Sequence, residues 1–144
     1  MNVYLDTSAL VKLYLVEAGS ERVKEVSENA PTVCTSILAY VEAHSAFARK
    51  YRARELSVSQ FQETIRSLEA DWGSYYIVKL DDLIVRTAAS LVGTRALRAL
   101  DALHLASAKA VKNSTGLEVL FIAADNRLIQ AAKAEGLDVV LVEV

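Results

Sequence analysis

The chain has 144 residues, 53% of them hydrophobic and 24% charged, with one proline and five glycines. That suffices for one domain with a sizeable core, is too short for two comfortable ones, and makes long disordered linkers unexpected. Cys34 is the single cysteine, which excludes an intrachain disulfide and a cysteine-based zinc finger, and the formal net charge of −2 argues against a strongly basic nucleic-acid binder while leaving local patches open.

The opening stretch MNVYLDTSALVKLYL carries Asp6 within its apolar run and no basic leader. It reads as a first strand (Asn2 to Leu5) and a helix (Thr7 to about Glu17, with Leu10, Leu13 and Tyr14 on one face), not as a signal peptide. Gly19-Ser20 breaks the chain, and Ser20 caps a polar helix to about Asn29. Pro31 to Thr35 reads as a second strand, and Ser36 opens a long helix through Glu42 to about Arg54. Ser57 or Ser59 caps the next helix, whose apolar face holds Phe61, Ile65 and Leu68.

Tyr75 to Leu80 is β-branched and aromatic enough for a third strand. Asp81 or Asp82 starts a helix to about Val92, followed by a loop from Gly93 to Leu100 that carries Arg95 and Arg98. Asp101 starts an alanine-rich helix ending near Asn113. Val119 to Ala123 is a fourth strand, Asn126 to Glu135 a helix closed by Gly136, and Val139 to Val142 a fifth strand. Strands alternating with helices imply a mostly parallel sheet with helices on both faces, in a single domain spanning 1–144. No apolar run approaches a membrane span. A cytoplasmic protein without a membrane partner is expected.

Four acids stand out by context: Asp6 in VYLDTSAL, Glu42 in ILAYVEAHSA, Asp101 in LRALDALHLA and Asp125 in FIAADNRL. In a parallel α/β sheet, strand-to-helix joints share one edge, so acids remote in sequence can meet there. Like charges ~4 Å apart repel by roughly 4 kcal/mol at an effective dielectric near 20, so such a cluster tends to hold protons or a cation. Oxygen-only ligands favour hard ions such as Mg²⁺ or Mn²⁺. Each acid also has a plainer reading. Asp6, Asp101 and Asp125 suit helix caps, and Glu42 suits a solvated helix position. Thr7 and Ser8 can cap as well, or hold Asp6 in place. His104 shares a helix face with Asp101 and reads as its orienting partner or a hydrogen-bonded core residue, ahead of a metal ligand.

Arg49 and Arg52 fall roughly on the helix face of Glu42, and Arg98 precedes Asp101. These are the candidate contacts to a phosphate-bearing substrate, Arg98 either on phosphate or paired with an acid, with Lys50 and Arg54 read as solvated. Tyr51, Trp72, Tyr75 and Tyr76 either stack bases or pack in the core or an interface.

The stretches VYLDTSALVKLYLVEAGSE, TSILAYVEAHSAFAR, LRALDALHLASA and FIAADNRLIQAAKAEGL together resemble the PIN-domain family, most closely its VapC-like ribonuclease toxins, over essentially the whole chain. The resemblance implies a three-layer α/β/α fold, an endoribonuclease dependent on Mg²⁺ or Mn²⁺, homodimerisation and inhibition by a partner antitoxin. It places Asp6, Glu42, Asp101 and Asp125 on the family's acidic positions, with Asp6 and Asp101 as principal ligands, and Thr7 and Ser8 on the hydroxyl positions after the first acid. Ala123 stands where such proteins often carry Thr or Ser, so Asp125 lacks that orienting hydroxyl. Two rival readings are a Mg²⁺-dependent phosphatase or receiver-like domain and a non-catalytic RNA- or protein-binding module. The first usually pairs two acids after strand one, whereas here Asp6 stands alone.

Overall fold

The computed structural model covers residues 1–144 and contains β1 (Asn2–Leu5), α1 (Thr7–Leu10), a 3₁₀ turn (Val11–Leu13), α2 (Ser20–Glu28), β2 (Val33–Ser36), α3 (Leu38–Arg52) and α4 (Val58–Trp72). It continues through β3 (Tyr76–Val78), α5 (Asp82–Arg95), α6 (Ala99–Thr115), β4 (Val119–Ala123), α7 (Asn126–Ala134) and β5 (Asp138–Leu141). All five strands run parallel in the order β3-β2-β1-β4-β5. The expected mostly parallel sheet is thus wholly parallel, and its central strand is β1.

Alternation along the strands builds two cores, since successive side chains leave opposite faces. Tyr4, Val119, Phe121 and Ala123 enter a core with α5, α6 and α7. Val3, Leu5 and Ile122 enter another with α1, α2, α3 and α4. The result is a three-layer α/β/α sandwich. Burial on both faces explains why β1 and β4 are almost continuously apolar.

Helix boundaries depart from the sequence reading in ways that matter for the site. The helix expected to run from Thr7 to about Glu17 ends after one α turn and one 3₁₀ turn. Lys12 turns inward, its Nζ donating to the Ala18 carbonyl at 2.7 Å and to Glu17 at 3.1 Å, which folds the following loop back onto the helix. Ser36 belongs to β2, and α3 starts at Leu38. Residues 93–95 remain helical, so the loop before α6 is only 96–98. Arg95 then points away from the acids, paired with Glu135 at 2.6 Å.

Other local expectations hold. Ser57 caps α4 in a reciprocal capping box with Gln60. Asp81 caps α5, its carboxylate accepting from Ile84 N–H at 2.9 Å.

Candidate active site

The site forms outside the carboxyl ends of β1, β2 and β4, where the strand order reverses about β1 and where parallel sheets place ligands. Asp6 is the first residue after β1. Its backbone N–H still donates to Ile122 of β4, at 3.2 Å, so the sheet itself fixes its position. Oδ1 caps α1, accepting from Ala9 N–H at 2.9 Å and from the Ser8 hydroxyl at 2.7 Å. The capping reading of Asp6 is met by Oδ1, and Oδ2 is left without a protein donor. Ser8 also accepts from the Ala124 N–H at 3.0 Å, tying the end of β1 to the end of β4.

Asp6 is 4% exposed. Burial pushes its carboxyl up to about 6, partly offset by the neighbouring His104, Ser8 and Ala9 and reinforced by the negative charge of Asp101. Desolvation disfavours the charged form, and a second carboxylate adds to that.

Glu42 sits on the second turn of α3. Its Oε1 accepts from the Thr7 hydroxyl at 2.5 Å and lies 2.8 Å from His104 Nε2. Burial raises its carboxyl, but the hydrogen bonds from His104 and Thr7 outweigh it and hold Glu42 below the usual carboxylate range. The buried His104 ring joins Glu42 and Thr7 through Nε2 and the Tyr4 phenol through Nδ1, the last at 2.8 Å. His104 thus serves Glu42. The expected orientation of Asp101 by His104 is not found, because Asp101 bonds instead to Arg98.

Asp101 lies in the first turn of α6, not at its cap; the helix begins at Ala99 with Arg98 as the flanking residue. The positive end of the helix dipole favours a carboxylate there. The Arg98 guanidinium lies 3.3 Å from Asp101 Oδ2 and 3.6 Å from Asp125 Oδ2. Asp125 caps α7 by accepting from Leu128 N–H at 3.0 Å.

An open cleft of about 1250 Å³ collects Asp6, Glu42, Asp101, Thr7, Ser8 and His104, with Lys12, Arg49, Lys50, Arg52 and Arg98 on its walls. Asp125 does not line it and is joined to it only through Arg98. No three His, Cys, Asp or Glu side chains converge closely enough to form a ready-made metal cage. Repulsion among acids and the counter-charge of Arg98 both favour such an open arrangement. The donor chemistry fits a hard divalent cation all the same: Asp6 Oδ2 and Glu42 Oε2 face no protein donor, and the acids are oxygen ligands.

Arg54 lies outside this cleft and adopts a positive φ of 60° just past α3. None of the four candidate stacking aromatics lines it either. Tyr51 stacks on Phe61, Trp72 packs between Tyr40 and Tyr75, and Tyr75 meets Tyr14. Tyr76 lies on the edge strand β3, against a separate groove. Sequence reasoning missed Tyr4 and Lys12. Tyr4 reads as an ordinary strand residue, whereas a lysine within the apolar run ALVKLYLV was a signal that could have been followed.

Residues 3–134 match the family model described as "PIN domain". The chain belongs to the PIN-domain family. Among PIN proteins it is VapC-like. It is 37% identical over 134 residues to ribonuclease VapC49 of Mycobacterium tuberculosis, covering 93% of this chain and 91% of that protein. Ribonuclease VapC35 of the same species is 34% identical over 140 residues, covering 96% and 95%. Among solved structures, this PIN fold superposes with a TM-score of 0.62 and 19% identity on a toxin–antitoxin complex from Klebsiella pneumoniae, covering 85% of this chain and 86% of that one. No helix is long and apolar enough to cross a membrane.

Proposed function

We propose that the chain, acting as one domain, is an endoribonuclease that needs Mg²⁺ or Mn²⁺ and serves as the toxin of a toxin–antitoxin pair. The observation that carries this reading is a single cleft in which Asp6, Glu42 and Asp101 are walled by arginines and lysines. Relatives that match over nearly the whole chain are named ribonucleases, and a fold neighbour is described as a toxin–antitoxin complex, which supports an antitoxin partner. A homodimer is part of the same reading.

Asp6 Oδ2 and Asp101 are the principal donors for the ion, and Glu42 completes the set. Asp125 acts at one remove, through Arg98. A divalent cation held there would lower the pKa of a water and neutralise charge developing on the phosphate. Arg49, Arg52 and Arg98 bind the RNA backbone and hold a phosphodiester over the acids, a sequence-independent role suited to guanidinium groups. Ser8 and the α1 backbone fix Asp6, and Thr7 and His104 fix Glu42, so neither carboxylate is free to rotate away.

The deciding experiment incubates the purified protein with total RNA in Mg²⁺, Mn²⁺ or EDTA. Cleavage that EDTA stops, and that Asp6→Asn and Asp101→Asn lose with circular dichroism unchanged, is expected. Robust cleavage by both variants would sink the proposal. RNA binding without cleavage by the wild type would favour the non-catalytic module.

A further inference from the structure

Glu42 terminates a polar chain that runs through the protein interior, and packing alone does not require that chain. Tyr4 is fully buried, stacked on Phe121 with ring centroids 5.5 Å apart, and phenylalanine would fill the same space. His104 is 2% exposed in the alanine- and leucine-lined layer between α6 and the sheet, where leucine would suit the surroundings. An unpartnered buried hydroxyl or imidazole is destabilising, because it gives up its hydrogen bonds to water. Both are partnered here, by each other and by Glu42.

The direction of the bonds follows from the groups. An ionised carboxylate only accepts, so the Glu42 contact requires hydrogen on His104 Nε2. The Thr7 hydroxyl donates to the same oxygen, Oε1. With the ring neutral, Nδ1 is the acceptor, and the Tyr4 O–H donates to it. A phenol holds its proton at neutral pH, so Tyr4 has an O–H to donate. Oε1 is saturated by two donors, and Oε2 is the oxygen left over.

We propose that Tyr4 and His104 are positioning residues for the cation site: through Tyr4 O–H to Nδ1 and Nε2–H to Oε1 they fix the rotation of the Glu42 carboxylate and present Oε2 alone to the ion. This rests on the proposed function, because it assumes that Glu42 meets a metal. It assigns a function to Tyr4, which does not line the cleft.

The test measures Mn²⁺ affinity of the full chain by calorimetry and the tautomer of His104 by nitrogen-15 NMR, for wild type, Tyr4→Phe, His104→Leu and His104→Gln. Wild-type His104 is expected as the Nε2–H form, and Tyr4→Phe should keep that tautomer, because Glu42 still requires the Nε2 hydrogen, while moving the Nδ1 resonance to that of an unbonded acceptor. Tyr4→Phe and His104→Leu should weaken Mn²⁺ binding by about 10-fold or more, the usual scale for losing an outer-shell partner. His104→Gln should retain more affinity than His104→Leu, since its amide N–H can still reach Oε1. Wild-type Mn²⁺ affinity in Tyr4→Phe and His104→Leu, with only the melting temperature lowered, would overturn the inference and leave a structural role. Should His104→Leu fail to fold, Tyr4→Phe decides, because it removes one oxygen and keeps the stacked ring. A wild type that binds no Mn²⁺ would overturn the proposed function instead. An Nδ1–H tautomer in the wild type would overturn the positioning chain whether or not Mn²⁺ binds.

Discussion

Nη2 of Arg98 lies 3.6 Å from Oδ2 of Asp125, and the same guanidinium holds Asp101, so the fourth acid reaches the cleft through an arginine and not by lining it. Arg98 is 80% exposed at its side chain. Pairs that exposed contribute at most about 1 kcal/mol, so Arg98→Ala should barely move the melting temperature. Its effect should fall on RNA. We expect KM to rise several-fold with a smaller change in kcat, and the dependence of binding on salt to lose about one phosphate contact. Asp125→Asn should impair cleavage less than Asp6→Asn, since the amide oxygen keeps the cap on α7. Steady-state cleavage at stepped salt concentrations reads both, and an unaltered KM and salt slope in Arg98→Ala would assign the arginine to surface pairing alone.

The elevated Asp6 carboxyl makes the metal-free protein sensitive to pH in a defined direction. Folded, the group titrates near 6; its ordinary value is 3.8. Between those values the native chain holds a proton that the unfolded chain has released, so stability declines as pH rises and the loss is complete above the folded value. The shift corresponds to at most about 3 kcal/mol at roughly 1.4 kcal/mol per unit. Asp6→Asn keeps an oxygen for Ser8 and Ala9 N–H but carries no charge. It should remove this decline, and be more stable than wild type near neutral pH while inactive. Urea unfolding of EDTA-treated wild type and Asp6→Asn from pH 4 to 8 isolates the term; parallel curves would refute it.

The strand positions and the layer order were legible because β1 and β4 are short apolar runs with an acid within two residues of their carboxyl ends, and no competing pattern obscures their period. The three-acid cleft was legible because Asp6, Glu42 and Asp101 interrupt apolar stretches of the sequence. What stayed hidden was set by tertiary contact. The lysine within ALVKLYLV signals burial, but nothing local says that its Nζ reaches the Ala18 carbonyl and that the first helix ends early. His104 sits three residues from Asp101 and so seemed its partner by helical spacing, yet the ring crosses to α3 and reaches Glu42 over 62 positions. Asp125 was placed with the others by its strand-end position, and only the side-chain geometry separates it from the cleft wall.

Gly19 should be intolerant of substitution for reasons unconnected with chemistry. It precedes α2 with φ at +85°, and a Cβ there would stand 3.0 Å from the Glu143 carbonyl oxygen and 3.2 Å from its nitrogen. Both the left-handed backbone and the contact with backbone atoms oppose a side chain. Gly19→Ala should cost on the order of 1–3 kcal/mol. Gly136→Ala provides the control, because φ is +90° there but no atom lies within 4 Å of the added carbon. It should be destabilised less, by the backbone effect alone. Denaturant midpoints of the two variants measure the difference, and equal losses would show that the C-terminal contact carries no weight.

Divalent ions should stabilise the folded chain, because they relieve the desolvated charge on Asp6 and its repulsion with Asp101. A ligand at 100 times its dissociation constant adds about 2.7 kcal/mol, which for a chain of this size is of the order of 5–10 °C in melting temperature. Mg²⁺ or Mn²⁺ should therefore raise the wild-type transition by that amount, and EDTA should reverse it. Asp6→Asn and Asp101→Asn should each lose the rise, Asp6→Asn while starting from a higher metal-free transition. Arg98→Ala should keep it or enlarge it, because the cation then no longer competes with a guanidinium for Asp101. Scanning calorimetry of the four proteins with and without Mn²⁺ separates these cases. An equal rise in Asp6→Asn and wild type would place the ion elsewhere on the molecule.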